Sequence, residues 1–359
     1  MAITKREFLL SSAAAAAALT VERTDAAAQG DRIRIADAHT HWYPPEWVDL
    51  VKTEGAANGA RIGTDERGNV TFAVPGLTAE FRPSYIDLAS RIKAMDAEGI
   101  SVQVLSLMAP MVYWAPPAFA LKLSQVFNDA AAAAHRSYPD RFVALAMVPM
   151  HEPKLALEEL ERAAKLPGLR GVMMATAVNG KNLDEKQFFP VYAKLEELGW
   201  PMFTHPIGAL GGDRMARYYM RNLLGNPIEI GIAGYSLILG GVLDAFPKLE
   251  VLLPRAGGNV PWGIGRLDRT VERMPELAHA NRPATQYLRR FHYDCIIESP
   301  EIVTSLIGLV GADRVLFGTD YPSPMRDRNP TAFIENLTPL SRADRDLILG
   351  GNAARLFRL

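Results

Sequence analysis

Cysteine is almost absent from this 359-residue chain, in which Cys295 is the only one. A single cysteine cannot form an intrachain disulfide or a cysteine-based metal site, and the apolar stretch YDCII predicts a core position for it. An excess of either charge is also missing, because 39 basic residues nearly balance 40 acidic ones and no basic block occurs. The composition therefore argues against nucleic acid as a partner and describes a soluble globular protein.

The chain also lacks an apolar run long enough for a good transmembrane anchor. Residues 1–30 instead have a basic start, an alanine-rich apolar middle and the sequence DAAAQG, which together predict a secretory signal peptide. The stretch from Thr4 to Leu10 resembles a twin-arginine signal in which Lys5 replaces the first arginine. We therefore expect a periplasmic or otherwise exported protein with no membrane association after processing; the alternative is a cytoplasmic protein with an uncleaved tail. Residues 31–359 would then form the folded domain.

Past residue 32, short apolar runs typical of buried parallel strands alternate with stretches of helical period. Eight runs predict strands, at residues 33–41, 102–107, 142–149, 169–175, 201–206, 249–256, 291–297 and 314–320. Eight successive strand–helix units predict an α/β fold, a (β/α)8 TIM-like barrel. A doubly wound open sheet is the alternative, but no G-x-G-x-x-G motif follows the first strand.

Two long insertions interrupt the regular alternation. Residues 42–84 follow the first strand and include a predicted hairpin with its turn at 66–69, and residues 207–234 follow the fifth strand. In a barrel, both insertions lie over the C-terminal mouth, where active sites are built. We expect them to act as lids or as walls of a substrate cavity.

Metal-binding residue types collect at the predicted strand ends. His39 and His41 end the first strand, His205 ends the fifth and Asp320 ends the eighth. Because residues i and i+2 of a strand point to the same side, His39 and His41 can bind one ion together. Three imidazoles and one carboxylate on one rim predict a mononuclear divalent-metal site with a position left open for water.

Further motifs extend along the predicted domain: DAHTH, VPM, THP, GGVLDAFPKLEVLL, GGNVPWGIGRLDR and LFGTDYP. Over residues 33–359 they resemble the amidohydrolase-related family, and more narrowly the aminocarboxymuconate-semialdehyde decarboxylases and their relatives. The resemblance implies a TIM-like barrel and one divalent metal ion, zinc in first place and manganese in second, bound by His39, His41, His205 and Asp320. It implies non-oxidative decarboxylation of an unsaturated or aromatic carboxylic acid, although hydrolases and hydratases occur among the relatives. A binuclear centre would need a bridging residue, often a lysine, at the end of strand four, and LRGVMMA contains none.

One position departs from the family's pattern. The sixth strand of these decarboxylases ends in an acid/base histidine followed by glycines, whereas this chain has PRAGG, with Arg255 in the place of the histidine. An arginine side chain stays protonated, so Arg255 cannot exchange a proton as the histidine does. Its guanidinium group is suited instead to binding a carboxylate or stabilising an oxyanion.

Three hypotheses follow from Arg255. In the first, the enzyme remains a decarboxylase in which Arg255 anchors the carboxylate of the substrate, while Asp320 or hydroxide on the metal handles the proton. In the second, it hydrolyses a lactone or related acid, with Asp320 as ligand and base. In the third, it is a non-catalytic relative that binds metal or a small acid. Release of carbon dioxide distinguishes the first hypothesis from ring opening in the second.

Other arginines are candidates for binding an acidic substrate. Arg214, Arg217 and Arg221 recur at helical spacing in the second insertion, which predicts that they share one helical face. Arg266 is similar to a family arginine near the subunit boundary, and this resemblance implies a homodimer in which Arg266 acts across the interface. We therefore expect Arg255, Arg266 and Arg214 to bind a small-molecule carboxylic acid.

Overall fold

The structure is a computed structural model that describes residues 34–75, 77–208, 210, 212–277 and 282–359. The predicted signal peptide at residues 1–30 lies outside the described residues. Contacts divide the chain into Met1–Arg34 and Ile35–Leu359, and the second unit contains every described residue except Arg34. No described helix is both long enough and apolar enough to cross a membrane.

Eleven strands among the described residues form two sheets. The strands are β1 (Ala36–Trp42), β2 (Arg61–Thr64), β3 (Val70–Val74), β4 (Leu77–Phe81), β5 (Val102–Leu107), β6 (Phe142–Met147), β7 (Leu169–Ala175), β8 (Met202–His205), β9 (Val251–Leu253), β10 (Phe291–Asp294) and β11 (Val315–Leu316). The larger sheet has the order β1-β5-β6-β7-β8-β9-β10-β11, and all neighbouring pairs are parallel. Every residue of β5 and β6 is buried, as expected for strands covered on both faces. The eight predicted strands are confirmed.

Helices connect the successive barrel strands and cover the outside of the sheet. They are α1 (Pro45–Glu54), α2 (Pro83–Ile86), α3 (Leu88–Ala97), α4 (Pro117–Ser137), α5 (Pro153–Ala163), α6 (Phe189–Leu198), α7 (Asn226–Leu239), α8 (Val242–Ala245), α9 (Val260–Arg273), α10 (Pro300–Val310), α11 (Pro330–Glu335), α12 (Arg342–Asp346) and α13 (Asn352–Phe357). Proline in the first turn starts most of them, because its fixed φ suits the helix and its missing N–H would have no partner there. The sequence therefore marks these helix starts.

Backbone hydrogen bonds join β1 to the segment around β11 and bring the two ends of the large sheet together. Three amides donate across this seam at 2.8–2.9 Å, in the pairs Ala38–Phe317, Asp320–His39 and His41–Tyr321. Within the barrel, the buried carboxylate of Asp37 accepts the backbone N–H of Thr319 at 2.9 Å and its hydroxyl at 2.6 Å. The predicted TIM-like barrel is confirmed, and the seam places the end of strand one beside the end of strand eight.

The first insertion folds as a separate antiparallel sheet of β2, β3 and β4. The predicted hairpin is confirmed: β2 and β3 are joined by a tight turn in which the Asp65 carboxylate accepts the N–H groups of Arg67 and Asn69. Strand β4 is an addition to the predicted pair. Short helical turns at Gly212–Met215 and Arg221–Gly225 precede α7 in the second insertion.

Candidate metal site and substrate cavity

Four buried side chains converge at the mouth of the barrel. His39 and His41 come from β1, His205 ends β8 and Asp320 follows β11, and one ligand atom of each lies within 4.8 Å of the others. The Nε2 atoms of His39 and His41 are 3.2 Å apart. The Oδ1 atom of Asp320 lies 3.5 Å from the first and 3.1 Å from the second. The structure thus brings together all four residues that the sequence predicts as ligands.

A second contact orients each imidazole through its Nδ1 atom. The pairs are His39–Asp294 Oδ2 at 2.6 Å, His41–Ser106 Oγ at 3.2 Å and His205–Pro206 carbonyl at 2.9 Å. The Ser106 hydroxyl already donates to the Thr40 carbonyl at 2.7 Å, so it accepts from His41. All three partners therefore accept a proton carried on Nδ1. The lone pair of each Nε2 atom is then free to bind an ion at the point where the four side chains meet.

This arrangement fits a divalent metal ion. Two unprotonated Nε2 atoms 3.2 Å apart repel each other unless a cation lies between them. The Nε2 atom of His205 is buried and has no hydrogen-bond partner among the described residues. Three imidazole nitrogens and one carboxylate oxygen form a ligand set typical of a mononuclear site. One divalent ion is therefore the cofactor that these side chains are suited to bind.

Burial and nearby charges keep the ligand side chains in the forms that bind metal. Burial lowers the pKa of His41 to about 4, although Asp320 acts in the opposite direction. Burial, with the positive charges around it, also lowers the pKa of His205 well below its usual range. Burial disfavours the charged form of Asp320, but Arg255 and His41 outweigh this effect and hold the pKa of the carboxyl well below its usual range. At neutral pH these imidazoles are neutral and the carboxylate is ionised, as metal binding requires.

Arg255 lies two residues after the end of β9, beside the ligand cluster. Its side chain is almost fully buried, and its Nη2 atom donates to Asp320 Oδ2 at 3.1 Å. Its Nη1 atom is also buried and has no hydrogen-bond partner among the described residues. The backbone of Arg255 is left-handed, with φ of 50°, a conformation that costs a non-glycine residue roughly 1–3 kcal/mol and collects at functional sites. The fold therefore fixes one positive charge next to the metal ligands.

Two adjoining cavities open onto this cluster. The main cavity has a volume of about 220 Å³, with walls from both insertions, at Leu77 and Ile207, and with His41, His205, Arg255 and Asp320 in its lining. The side cavity has a volume of about 110 Å³ and is lined by Ile296, Glu298 and Met325, among others. Asn222, Arg255 and Asp320 line both cavities. A ligand in the main cavity would therefore contact groups that also face the side cavity.

Comparison with known proteins settles the family. The amidohydrolase family matches residues 36–359, which is the whole barrel with both insertions. The chain belongs to the amidohydrolase family. The resemblance seen in the sequence motifs is thereby confirmed.

Several characterised proteins are similar to this amidohydrolase over most of its length. A 2-amino-3-carboxymuconate-6-semialdehyde decarboxylase of Dictyostelium discoideum is 33% identical over 327 residues, which cover 90% of this chain and 91% of the relative. A gamma-resorcylate decarboxylase of Rhizobium radiobacter is 31% identical, covering 75% of this chain and 86% of the relative. The solved dihydroxybenzoic acid decarboxylase of Polaromonas sp. JS666, with bound manganese and the inhibitor 2-nitroresorcinol, is 26% identical with a TM-score of 0.74, covering 91% of this chain and 98% of that one.

Asp294 is a residue of the site that the sequence motifs did not single out. It ends β10, is fully buried, and its Oδ2 atom lies 2.6 Å from His39 Nδ1. Its Oδ1 atom accepts the backbone N–H groups of Arg255 at 2.6 Å and Ile296 at 3.1 Å. The sequence feature that could have identified Asp294 is a carboxylate at the end of an apolar strand, the same feature that identified Asp320. One side chain, that of Asp294, therefore positions both the candidate ligand His39 and the Arg255 backbone.

Replacing Asp294 with asparagine is expected to weaken metal binding by roughly 10- to 100-fold, the usual effect of losing a hydrogen-bond partner of a ligand histidine. Asparagine has only one side-chain oxygen. If that oxygen still accepts the N–H groups of Arg255 and Ile296, the NH₂ group of the asparagine faces His39 Nδ1. The imidazole proton then moves to Nε2, so the nitrogen that would bind the metal is blocked. Competition with a chromophoric chelator would measure the affinity.

Glu250→Gln is the matched control for this experiment. Glu250 contacts His292 Nε2 at 2.8 Å, so it repeats the carboxylate–imidazole contact, but neither residue is among the metal ligands. Equal metal affinities for Asp294→Asn and wild type would show that Asp294 does not orient His39.

The other predicted substrate arginines lie in different places. Arg221 lines the main cavity of the amidohydrolase. Arg214 and Arg266 are exposed and line neither the main cavity nor the side cavity. Their roles as substrate-binding residues stay predictions, and for Arg266 that role requires a second subunit.

The shared helical face predicted for Arg214, Arg217 and Arg221 is wrong. Arg214 lies in one short helical turn and Arg221 begins another. Between them, Tyr218 and Tyr219 have φ of 58° and 57°, a left-handed backbone that a right-handed helix cannot contain. The three arginines therefore do not lie on a common helix, and their spacing in the sequence does not place them on one face.

Proposed function

We propose that this amidohydrolase removes carbon dioxide, without oxidation, from an unsaturated or aromatic carboxylic acid. The relatives that it resembles over most of its length are decarboxylases of such acids. The observation that carries the proposal is the buried Nη1 atom of Arg255, which has no hydrogen-bond partner among the described residues and lies beside the four candidate metal ligands. Arg255 also lines the main cavity, which supports its role as a cationic donor to a carboxylate of the substrate.

Arg255 is suited to that anchoring role because its other contact is already made. Its Nη2 atom binds Asp320 Oδ2, so the guanidinium plane is held while an N–H group remains for the substrate. A charge-assisted hydrogen bond in a buried site is roughly twice as strong as a neutral one. Apolar side chains at Leu77, Met108 and Ile207 line the same cavity. A cavity that combines charged and polar groups with these apolar side chains fits an acid on a planar carbon framework.

The metal site supports the same reaction. A divalent ion held by His39, His41, His205 and Asp320 would polarise substrate oxygens and stabilise the negative charge that develops as the carboxylate leaves. We favour zinc because three imidazole nitrogens and one carboxylate are among its common ligands, and manganese is the competitor because the Polaromonas enzyme contains it. Elemental analysis of protein purified without added metal would distinguish the two ions.

A direct assay tests the function. Residues 31–359 would be purified, loaded with zinc or manganese, and assayed for carbon dioxide release from dihydroxybenzoates and from unsaturated dicarboxylic acids. We expect turnover of at least one acid, and its loss after chelation should be reversed by added metal. Ring opening of a lactone without carbon dioxide release would support the hydrolase alternative. Metal and acid binding without any turnover would support a non-catalytic role.

Export is part of the proposal because the first 30 residues have the form of a signal peptide. Twin-arginine export carries folded protein, so the metal could be loaded before transport. N-terminal sequencing of protein from the periplasmic fraction is expected to give a start close to residue 31. Full-length chain confined to the cytoplasm would contradict export.

Self-association is the remaining part of the proposal, with Arg266 near a twofold interface. Arg266 is exposed on α9 and lines neither cavity of its own subunit, so a role in substrate binding would need a second subunit. Light scattering is expected to show a homodimer. A monomer at assay concentration would exclude a role for Arg266 across an interface.

A further inference from the structure

The reaction needs a proton source that Arg255 cannot be. When the bond to the carboxylate breaks, its electron pair must form a new C–H bond with a proton. Both side-chain oxygens of Asp320 face other site residues, Oδ1 toward His41 and Oδ2 toward Arg255. A further titratable group near the cluster is therefore the feature to look for in this chain.

Glu298 is such a group, and the loop after β10 carries it to the mouth of the barrel. It lines the side cavity together with Arg255 and Asp320. Its backbone is left-handed, with φ of 46°, as are those of Arg255 at 50° and Asp320 at 56°. Three charged residues around one small cavity thus share a conformation that is rare for non-glycine residues and that collects at functional sites.

The contacts of Glu298 leave its carboxyl group able to exchange a proton. No hydrogen bond or ion pair joins it to the four ligand side chains. Part of the residue is exposed, so solvent can restore its proton, while the rest is covered by the protein. The side cavity has a volume of about 110 Å³, which is room for several water molecules between Glu298 and the main cavity.

We infer that Glu298 is the proton donor of this site, in place of the family's histidine, and that it acts across the side cavity. The inference rests on the proposed decarboxylation. The C–C bond to the carboxylate breaks and carbon dioxide leaves, while the electron pair of that bond takes up the proton that Glu298 supplies. The Glu298 carboxylate then regains a proton from solvent, so the cycle needs no oxidant or reductant.

The electrostatic surroundings of Glu298 agree with this role. Desolvation, with the negative charges of Asp294, Asp320 and Asp327, raises the pKa of Glu298 to about 7, against the opposing effect of Arg255. A donor whose pKa lies near the working pH is both available in its protonated form and able to give up the proton. The acid form is lost as the pH rises above about 7, so the rate should fall there.

Glu298→Gln tests the inference, with Glu301→Gln as the matched control. Glu301 is exposed, lies in the first turn of α10 and lines neither cavity. We expect Glu298→Gln to lower kcat on the best acid of the assay panel by about 100-fold or more. It should also abolish the inflection near pH 7, whereas Glu301→Gln keeps the rate and the pH profile. A wild-type rate and pH profile in Glu298→Gln would overturn the inference.

A second measurement does not depend on turnover. Because the folded-state pKa of Glu298 is raised from 4.5, the wild type loses stability relative to Glu298→Gln as the pH rises through this range toward about 7. The Tm of Glu298→Gln, measured on the metal-loaded chain, should therefore exceed that of the wild type at pH 8 by more than at pH 5. A Tm difference independent of pH would overturn the inference. Failure of wild type to release carbon dioxide from any acid would reject the proposed function, and this titration would then decide whether Glu298 is the titrating group.

Discussion

Replacing His41 with alanine is expected to weaken metal binding so that the ion is lost in dialysis against a chelator, and to abolish turnover. Structural zinc sites bind their ion with roughly 10–16 kcal/mol at neutral pH, so one lost ligand of four should cost about 3 kcal/mol, or about a hundred-fold in affinity. The described residues contain no other group of three or more metal-binding side chains, so the released ion has no alternative cluster there. Metal content after dialysis and carbon dioxide release are the measurements.

His151→Ala is the matched control for that experiment. His151 is a partly buried histidine whose Nε2 atom contacts the Ala115 carbonyl at 3.2 Å, and it is not a member of the ligand cluster. It should keep a full metal load and the wild-type rate. A stoichiometric metal load in both His41→Ala and Asp320→Ala would show that the ion binds elsewhere.

Replacing Arg255 with methionine is expected to lower kcat/KM on the best acid by about 30- to 1,000-fold. Removing one partner of a buried, hydrogen-bonded charge pair costs roughly 2–4 kcal/mol, and each 1.4 kcal/mol is a factor of ten. Most of the loss should appear in KM, because the guanidinium group binds the carboxylate before any bond breaks. The metal should stay bound, since the Asp320 carboxylate remains ionised beside it.

Two further variants separate charge from shape at this position. Arg255→Lys keeps the charge without the planar fork and should recover only part of the loss. Arg255→His returns a titratable ring to the place it has in the relatives, so its pH profile should differ from that of wild type. Arg269→Met, on the exposed face of α9, is the control with an equal loss of charge. An unchanged KM in Arg255→Met would remove Arg255 from substrate binding.

The cluster of four candidate metal ligands could be predicted from the sequence because the barrel topology brings the strand ends together. All eight strands are parallel, so residues that end them meet on one rim however far apart they are in the chain. His39, His205 and Asp320 needed only strand assignments and metal-binding side chains to be identified. The same rule applied to Asp294, but its local sequence, an aspartate inside YDCII, carries no motif of its own. Its pairing with His39 spans 255 positions and becomes visible only in three dimensions.

Backbone conformation explains what the sequence did not reveal in the second insertion and around Glu298. A left-handed backbone is readily predicted at glycine, but here Tyr218, Tyr219 and Glu298 adopt it. Tyrosine and glutamate give no local signal for that region, which sterics disfavour for them. A helical spacing of arginines therefore predicted a helix that these two tyrosines interrupt. The position of the Glu298 side chain likewise depends on its left-handed backbone, which the local sequence does not predict.

The seam between β1 and β11 affects the order in which this protein folds and the place where it first opens. Asp37 and Thr319 are 282 positions apart, and closing a loop of that length costs about 5 kcal/mol of chain entropy. Contacts of such high sequence separation form late in folding, because this entropy cost must be met before the contacts stabilise the fold. An ion bound by His39, His41 and Asp320 would link the two sides of this seam. It would therefore stabilise the last part of the barrel to assemble. In the apoprotein, the amides that cross the seam should be the barrel amides that exchange hydrogen first.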